Sequence, residues 1–298
     1  MARQLTAGSS RTGALMLRSL VSLLFGLWLT AVHSAAQVPW QQAVTGTLVV
    51  AVPVKEGLVT CSDKRLFNHS TGTYTDDAVK IRKAGDNALF VATNTIGFRD
   101  NRTGKMGFDA FEVTEKYLSK HPFANTRAFW DGLREEIRKK LLDYFAGQPA
   151  ADLPPTDFES GRLLFNLVFY SVVQKRIKSH TIRVFYERAA APIVSVPSVV
   201  SEEVRTPKLS GKGREVMRYI SRDSTFASDP SILRFDERAF NPETTTLRDA
   251  VDFSAKLFRL SSSAIPAARV SLLFDCALLS HQNHFQWIEI KGDYGRSG

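Results

Sequence analysis

Apolar positions near the start of the chain follow the spacing of β-strands. Two β-branched runs, TLVVAVPV and LVTCSDKR, predict a strand pair joined at KEG, where Gly57 supplies the turn. Pro53 lacks an amide donor, which indicates an edge or irregular strand. A third run, DAVKIRKA, leads through GDN into ALFVATN and predicts two further strands.

The apolar positions then change to helical spacing. Later segments alternate between the spacing of strands and that of helices. The second of two predicted helices has an apolar residue at every fourth position from Phe129 to Leu141. The later segments are two strands turning at QKRIKS, two helices and a closing hairpin. In chain order, the sequences are FDAFEVTEKYLSKH, ANTRAFWDGLREEIRKKLLDYFAG, RLLFNLVFYSVV, HTIRVFYER, KGREVMRYIS, TLRDAVDFSAKLFRLSS, ARVSLLFDCALL and HFQWIEI.

This order of elements predicts the fold class. The chain begins with strands, continues with two helices and a second group of strands, and ends with further helices and a last group of strands. An irregular, proline-spaced insertion lies at about 188–245. Two sheets with helices outside them accommodate that order in one domain of roughly 250 residues. We therefore expect an α+β fold with four layers.

Residues 1–36 differ from the rest of the chain. An uncharged, mostly apolar run of about 14 residues, Ser19 to Val32, follows Arg3, Arg11 and Arg18, and residues 1–36 contain no acidic residue. The SAAQ segment offers small residues for cleavage near Ala36. A membrane-spanning helix needs about 20 apolar residues, so the pattern favours a cleaved signal peptide over an uncleaved anchor. We expect a secreted or periplasmic protein without a stable membrane anchor after cleavage.

Charge and cysteine content narrow the function classes. The 298-residue chain has a formal charge of +9, which falls to +6 without the leader arginines. No stretch interleaves dense Lys and Arg with aromatic residues, so we expect no nucleic-acid partner. Cys61 and Cys276 form either one bridge or two separately buried thiols. Asn68 and Asn101 begin glycosylation sequons, which matter only in a eukaryotic secretory host.

Several motifs from residue 46 onward occur together in a recognisable order. The step Gly46-Thr47 begins the first strand, a turn glycine and Asp63 follow, and Lys80-Ile81 stands on the next strand. This order and spacing resembles the proteasome β-subunit branch of the N-terminal nucleophile (Ntn) hydrolases. The bacterial proteasome-like proteins of the Anbu type are the more similar group.

The resemblance is strongest over residues 46–100 and returns more weakly at 209–220 and 245–290. It implies a four-layer αββα sandwich of the Ntn-hydrolase/proteasome type over residues 47–298, behind a short propeptide at 37–46. It also implies a peptide or small amide substrate, no metal or organic cofactor, and assembly into a homo-oligomeric ring.

The chemistry of such a site explains the residue types. A threonine hydroxyl is a poor nucleophile and needs a nearby base. Cleavage after Gly46 would free the α-amine of Thr47, whose pKa near 8 lets it accept the hydroxyl proton. A positive Lys80 beside the hydroxyl would lower the hydroxyl pKa, and Asp63 would hold that lysine. These three residues are the implied catalytic group.

Each of these residues also has an ordinary structural interpretation. Thr47 can be a β-forming residue, and Lys80 can be one more exposed strand lysine. Asp63 can form an ion pair within its turn, with Lys64 or Arg65. Their joint spacing behind a Gly-Thr junction favours the catalytic interpretation.

The resemblance implies further site residues, and here the sequence departs from the family. Backbone amides at a predicted strand-to-helix turn after FVATNT would form the oxyanion hole. Asn94 or Thr95 stands there in place of the family glycine. Ser210 matches a serine before the third helix. The family has an aspartate and a serine after the fourth helix, where LSSSAIPAAR offers Ser263 and no aspartate.

Three functions remain open from the sequence. The first is a threonine-type peptidase activated by cleavage between Gly46 and Thr47, and the second is an amidase with a small substrate. The third is a catalytically silent relative that keeps the fold as a binding or assembly subunit, which the changes around Ser263 favour. His281 and His284 at the tip of the last hairpin are predicted to form a polar turn, not a metal site.

Overall fold

The computed structural model describes a mixed α/β fold over most of the chain. The described residues are 43–46, 48–68, 71–100, 103–149, 153, 162–187, 192–223, 228–264, 270–282 and 284–290. They belong to one compact unit, Trp40–Gly298. The predicted signal peptide, Thr47 and the sequon at Asn101 lie outside them. No helix among the described residues is long and apolar enough to cross a membrane.

The described strands pair antiparallel and form two sheets. In chain order they are β1 (Ala43–Gly46), β2 (Leu48–Val54), β3 (Gly57–Asp63), β4 (Leu66–Asn68), β5 (Thr73–Thr75), β6 (Ile81–Gly85), β7 (Ala88–Arg99), β8 (Met106–Asp109), β9 (Arg162–Val173), β10 (Arg176–Glu187), β11 (Ile193–Ser195), β12 (Val200–Glu203), β13 (Lys208–Gly211), β14 (Phe274–Ser280) and β15 (Phe285–Ile288). The larger sheet has the order β11-β10-β9-β7-β1-β4-β5, with β12 on β10 and with β6 and β8 on β7. The smaller sheet has the order β13-β2-β3-β14-β15.

The helices lie between these strands in the chain. They are α1 (Ala110–Lys120), α2 (Arg127–Ala146), α3 (Gly213–Arg222), the short α4 (Pro230–Leu233) and α5 (Leu247–Ala264), with a 3₁₀ turn at Pro242–Thr244. Asp109 caps α1 by accepting from the amides of Phe111 and Glu112, and Thr126 caps α2 by accepting from the amide of Phe129. Side-chain acceptors of this kind satisfy amides at a helix start that lack a partner within the helix.

The predicted first hairpin is confirmed as β2 and β3, and Gly57 is required where it stands. Its φ is +153°, and a Cβ there would overlap the carbonyl oxygen of Leu279 on the neighbouring strand β14. A proline is tolerated at position 53 because β13 pairs with β2 only from Leu48 to Ala51. The missing amide donor therefore faces no partner strand on that side.

The predicted hairpin turning at QKRIKS is confirmed, and its turn takes up only part of that segment. Strand β10 already begins at Arg176, and the turn consists of Gln174 and Lys175. Their φ values are 52° and 62°. Two successive residues with positive φ are typical of the tight hairpin turn whose twist matches that of paired strands. The paired strands of this hairpin therefore extend into the QKRIKS segment, whose polar composition suggested a loop.

Three hydrophobic clusters fill the spaces beside the sheets. The first joins α1 and α2 to β7, β9 and β10 and includes Phe90, Leu133 and Phe169. The second joins α3 and α5 to the smaller sheet and includes Val50 and Phe258. A third cluster contains residues of both sheets and lies between them. Residues 192–245 contribute to this architecture by adding β11 and β12 to the larger sheet and β13 to the smaller one.

A disulfide links Cys61 of β3 to Cys276 of β14. The two residues are direct partners in the strand register, their Cα atoms are 4.1 Å apart, and both are fully buried. The bridge therefore joins parts of the chain separated by 215 residues. Of the two alternatives left by the sequence, the structure contains the bridge.

A buried histidine connects three strands of the larger sheet. One ring nitrogen of His180 on β10 lies 3.1 Å from the hydroxyl of Ser171 on β9, and the other lies 2.8 Å from the hydroxyl of Ser201 on β12. The ring also packs against Trp130 of α2 at 4.9 Å between centroids. Burial lowers the pKa of His180 from its ordinary value to about 4. The imidazole is therefore neutral at physiological pH.

Candidate functional site

The chain passes from one sheet to the other between Gly46 and Leu48. Gly46 ends β1 in the larger sheet and pairs with Asn94 of β7. Leu48 begins β2 in the smaller sheet and pairs with Gly211 of β13. Strand β1 was not predicted, because the sequence suggested one continuous strand from Thr47. Thr47 itself lies outside the described residues.

Asp63 and Lys80 form a buried ion pair close to this crossing. The Lys80 Nζ atom donates to Asp63 Oδ1 at 3.1 Å, and the two side chains are 1% and 0% exposed. The same carboxylate oxygen accepts the backbone amide of Leu48 at 2.9 Å. A single oxygen therefore holds both the lysine and the first residue of β2.

The second Asp63 oxygen is also held by backbone donors. Oδ2 accepts the amide of Arg65 at 3.0 Å and, more weakly, the amide of Ser271 at 3.5 Å. Hydrogen bonds from several amides favour the charged form of a carboxylate, which compensates for its removal from water. Asp63 lies at the end of β3. Its carboxylate therefore accepts hydrogen bonds from backbone amides of β2, of the turn after β3 and of the segment before β14.

Burial lowers the pKa of Lys80, and the charge and hydrogen bond of Asp63 oppose that change. An ammonium group in water loses its proton only near pH 10. A lysine with a lowered pKa can exchange a proton more readily at neutral pH, while its charged form still stabilises an anion beside it. This combination suits a group that assists a hydroxyl nucleophile.

Asp63 does not form an ion pair with either neighbour in its turn. Lys64 pairs with Asp275 at 3.4 Å, and only the backbone of Arg65 contacts Asp63. The Arg65 guanidinium instead makes two hydrogen bonds to Asp76, at 2.8 and 2.7 Å. These bonds hold the pKa of Asp76 below its usual range and raise that of Arg65. The interpretation of Asp63 as part of a turn ion pair is therefore wrong.

The predicted strand-to-helix turn after FVATNT was also wrong. Strand β7 continues through Asn94 and Thr95 to Arg99, and these two residues pair with Gly46 and Thr45 of β1. Asn94 has a φ of 69°, in the left-handed region that glycine usually occupies. Asparagine tolerates this conformation better than most residues because its short side chain bonds locally. A glycine would adopt the same conformation without strain.

An open cavity of about 610 Å³ lies beside Asn94, and we call it the Asn94 cavity. Ser210 and Gly211 of β13 line it, as does Tyr170 of β9. Burial raises the pKa of the Tyr170 phenol, and a hydrogen bond with Ser210 partly opposes the change. The complete lining is Asn94, Leu163, Asn166, Val168, Tyr170, Ser179, Thr181, Arg183, Phe185, Glu202, Lys208, Leu209, Ser210, Gly211, Glu215 and Arg218.

The structure does not bring Ser263 to this group. Its side chain is exposed on α5, and its hydroxyl donates to the carbonyl of Arg259 in the same helix. Ser271 is the serine beside Asp63, and sequence reasoning missed it. The signal was weak, because Ser271 is one polar residue within an apolar run before the last hairpin. Its buried hydroxyl accepts the amide of Leu273, which fixes the backbone that points toward Asp63.

Within the described ranges, no cluster of His, Cys, Asp and Glu has the geometry to hold a metal ion. The described groups can instead support proton transfer and anion stabilisation. A buried ammonium is held by the carboxylate that also binds the amide of Leu48. Two residues of the cavity wall, Asn94 and Gly211, pair with Gly46 and Leu48 at the same junction of the two sheets. Such an arrangement can assist a nucleophile placed between Gly46 and Leu48.

No protein-family model matches the chain, and the curated proteins include no significant sequence match. Among solved structures, the chain is similar to the Anbu (Gly-1) mutant from Hyphomicrobium sp. strain MC1. The TM-score is 0.45 and the sequence identity is 11%, over 84% of this chain and 90% of that chain. These values describe a distant structural similarity.

Proposed function

We propose that this protein is a threonine-type hydrolase of peptide bonds that activates itself by cleavage between Gly46 and Thr47. The observation that carries the proposal is the shared oxygen of Asp63, which accepts from both Leu48 and Lys80. Thr47 directly precedes Leu48, and consecutive Cα atoms lie about 3.8 Å apart. The lysine is therefore within reach of a Thr47 side chain directed toward it.

The chemistry has two stages, and both use the same hydroxyl. In the uncleaved chain the Thr47 nitrogen is an amide, so the hydroxyl attacks the Gly46 carbonyl and the acyl group moves from nitrogen to oxygen. This shift breaks the Gly46–Thr47 amide bond and frees the α-amine of Thr47. Water then hydrolyses the ester, which releases the Gly46 carboxylate and regenerates the Thr47 hydroxyl. In the second stage the amine accepts the hydroxyl proton, and the oxygen attacks a substrate carbonyl. The proton passes to the leaving amine as the substrate peptide bond breaks, and water then hydrolyses the acyl ester on Thr47 to release the product carboxylate.

Lys80 and Asp63 have distinct roles in this mechanism. The charged ammonium of Lys80 stabilises the oxygen of Thr47 as it loses its proton, in a site with little water. Asp63 is a positioning residue, because its carboxylate holds the ammonium and the Leu48 amide together. The backbone amide of Asn94 is the proposed oxyanion donor, and its left-handed φ supports that role.

The place of β1 indicates how an extended substrate would bind. Strand β1 pairs antiparallel with β7 on one side and with β4 on the other. Cleavage after Gly46 allows this segment to leave, which exposes the backbone donors and acceptors of both neighbours. An extended peptide can then pair with the same strands, and its scissile bond would replace the Gly46–Thr47 junction. This favours a peptide over a small amide.

Fold, export and assembly belong to the same proposal. We propose a four-layer αββα arrangement, which the three separate hydrophobic clusters support. We propose cleavage of residues 1–36 and secretion, supported by the buried disulfide, because such bridges are rare in reducing compartments. Assembly into a homo-oligomeric ring rests on the sequence resemblance alone.

A catalytically silent binding or assembly subunit is the second candidate, and β1 is the observation that favours it. In the uncleaved chain this strand already completes the ladder between β7 and β4. A protein that never loses β1 would keep a continuous sheet and a blocked substrate position. The two candidates therefore differ in one covalent bond, the peptide bond between Gly46 and Thr47.

Three variants test the proposed mechanism against a panel of fluorogenic peptide amides. Thr47→Ala should abolish both hydrolysis and self-cleavage, whereas Thr47→Ser should keep a measurable part of both because it retains the hydroxyl. Lys80→Ala should abolish hydrolysis. Thr71→Ala, at an exposed threonine on the turn after β4, is the control and should behave as wild type. Full hydrolysis by Thr47→Ala would disprove the assignment of the nucleophile.

A further inference from the structure

We infer that the Asn94 cavity binds an acidic side chain of the substrate, with Arg183 and Arg218 as the groups that recognise its carboxylate. The inference rests on the proposed function, because it assigns a substrate preference to that site.

Strand pairing places the wall of the cavity beside the proposed cleavage position between Gly46 and Thr47. Asn94 lines the cavity and pairs with Gly46, while Gly211 lines the cavity and pairs with Leu48. The residues on both sides of Thr47 therefore have their ladder partners in the cavity wall. A side chain close to the scissile bond would enter this space.

The charges of the lining leave two arginines without carboxylate partners. Glu202 pairs with Lys208 at 3.4 Å, and Glu215 pairs with Lys212 at 3.2 Å. Arg183 extends from β10 and Arg218 from α3, and both line the cavity. Neither forms an ion pair with a carboxylate of the described residues, although fourteen other ion pairs occur there.

The remaining lining suits the stem of a glutamate or aspartate. Leu163, Val168, Phe185 and Leu209 supply apolar surface for methylene groups. The volume of about 610 Å³ lies within the range of small-ligand sites, so it accommodates one side chain with part of its neighbours. Arginine also matches a carboxylate with two parallel hydrogen bonds, which a lysine cannot do.

Binding of matched peptides to the full-length protein tests this inference separately from catalysis. The probes are fluorescein-labelled Ala-Ala-Glu-amide and Ala-Ala-Gln-amide, which have the same shape and differ in charge, together with Ala-Ala-Lys-amide. Fluorescence anisotropy gives each dissociation constant, and mass spectrometry verifies that the probes stay intact. We expect the Glu peptide to bind at least tenfold more tightly than the Gln peptide, and the Lys peptide to bind most weakly.

Matched arginine variants locate the preference. Arg183→Ala and Arg218→Ala should each reduce the Glu-to-Gln ratio about threefold or more, and the double variant should abolish it. Arg176→Ala on β10 and Arg222→Ala on α3 are the controls, because both side chains are exposed and neither lines the cavity. These controls should keep the ratio of the wild type.

The outcomes separate this inference from the proposed function. A preference for Glu that depends on Arg183 and Arg218, without hydrolysis of any peptide, supports the acidic site and contradicts the peptidase. Hydrolysis that shows equal rates for Glu, Gln and Lys peptides, with equal binding, overturns the inference and leaves the peptidase intact. Loss of the preference in the control variants would also overturn the assignment to these arginines.

Discussion

Removal of Lys80 should destabilise the protein far more than removal of an exposed lysine with a similar partner. Lys80 and Asp63 are almost fully buried and 3.1 Å apart. Breaking a buried ion pair by removing one partner typically costs about 3–5 kcal/mol. We therefore expect the free energy of unfolding to fall by about 3 kcal/mol in Lys80→Met, the lower end of that range, because Asp63 keeps its backbone amide donors.

Replacement of Asp63 should lower the free energy of unfolding more than replacement of Lys80 does. Asp63→Asn leaves the buried ammonium without its counter-charge. It also replaces one acceptor oxygen with an NH2 donor, which cannot accept from the backbone amides around it. We expect a loss of about 5 kcal/mol from this variant. In the double variant Lys80→Met/Asp63→Asn, the loss of unfolding free energy should be smaller than the sum of the two single losses. The difference, which is the coupling energy, should be about 2 kcal/mol because neither remaining side chain is charged.

Urea denaturation followed by circular dichroism measures these changes. The matched control is Lys83→Met, since Lys83 pairs with Asp86 at 2.7 Å on the protein surface. The control should leave the denaturation midpoint unchanged, as exposed pairs contribute little. If Lys80→Met shifts the midpoint no more than Lys83→Met does, the buried pair does not hold this junction. That comparison remains informative even if Asp63→Asn fails to fold.

Three further predictions follow from other parts of the structure. His180 has a folded pKa of about 4, below its ordinary unfolded value of about 6.5, so its contribution to stability is complete above pH 6.5 and declines as the pH falls toward 4. His180→Gln should remove roughly 3 kcal/mol of this pH dependence in urea titrations between pH 7 and 4, and an unchanged slope would contradict it. Replacement of both Cys61 and Cys276 by alanine should cost about 2–5 kcal/mol, and two titratable thiols in the unreduced, denatured wild type would refute the bridge. Asn94→Ala should cost about 1–2 kcal/mol while Asn94→Gly stays close to wild type, because only glycine adopts the observed φ of 69° without strain; equal midpoints for the two variants would contradict this.

The regular elements were predictable because their apolar spacing is strong and local. The strand pair β2 and β3 and the helices α1, α2, α3 and α5 lie where the sequence pattern placed them, within a few residues. Strand β1 could not be predicted in this way. It has only four residues, and its pairing with β7 and β4 depends on contacts distant in sequence.

The candidate site was only partly accessible from the sequence. Asp63 and Lys80 were predicted from the resemblance of the sequence motifs to those of the Ntn hydrolases, and the structure brings the two residues together. The position of Ser271 depends on how the segment before β14 returns to β3, which no local pattern records. The conformation of Asn94 was equally hidden, because one asparagine in an apolar strand does not reveal a positive φ.

Intact-mass measurement of the purified wild-type protein tests the central proposal most directly. The proposal requires a mature chain that begins at Thr47, with its free α-amine, and N-terminal sequencing would identify the same residue. A stable protein that retains residues 37–46, beginning at Gln37 or just before it, would contradict self-activation. The protein would then be the catalytically silent subunit, with β1 kept permanently between β7 and β4.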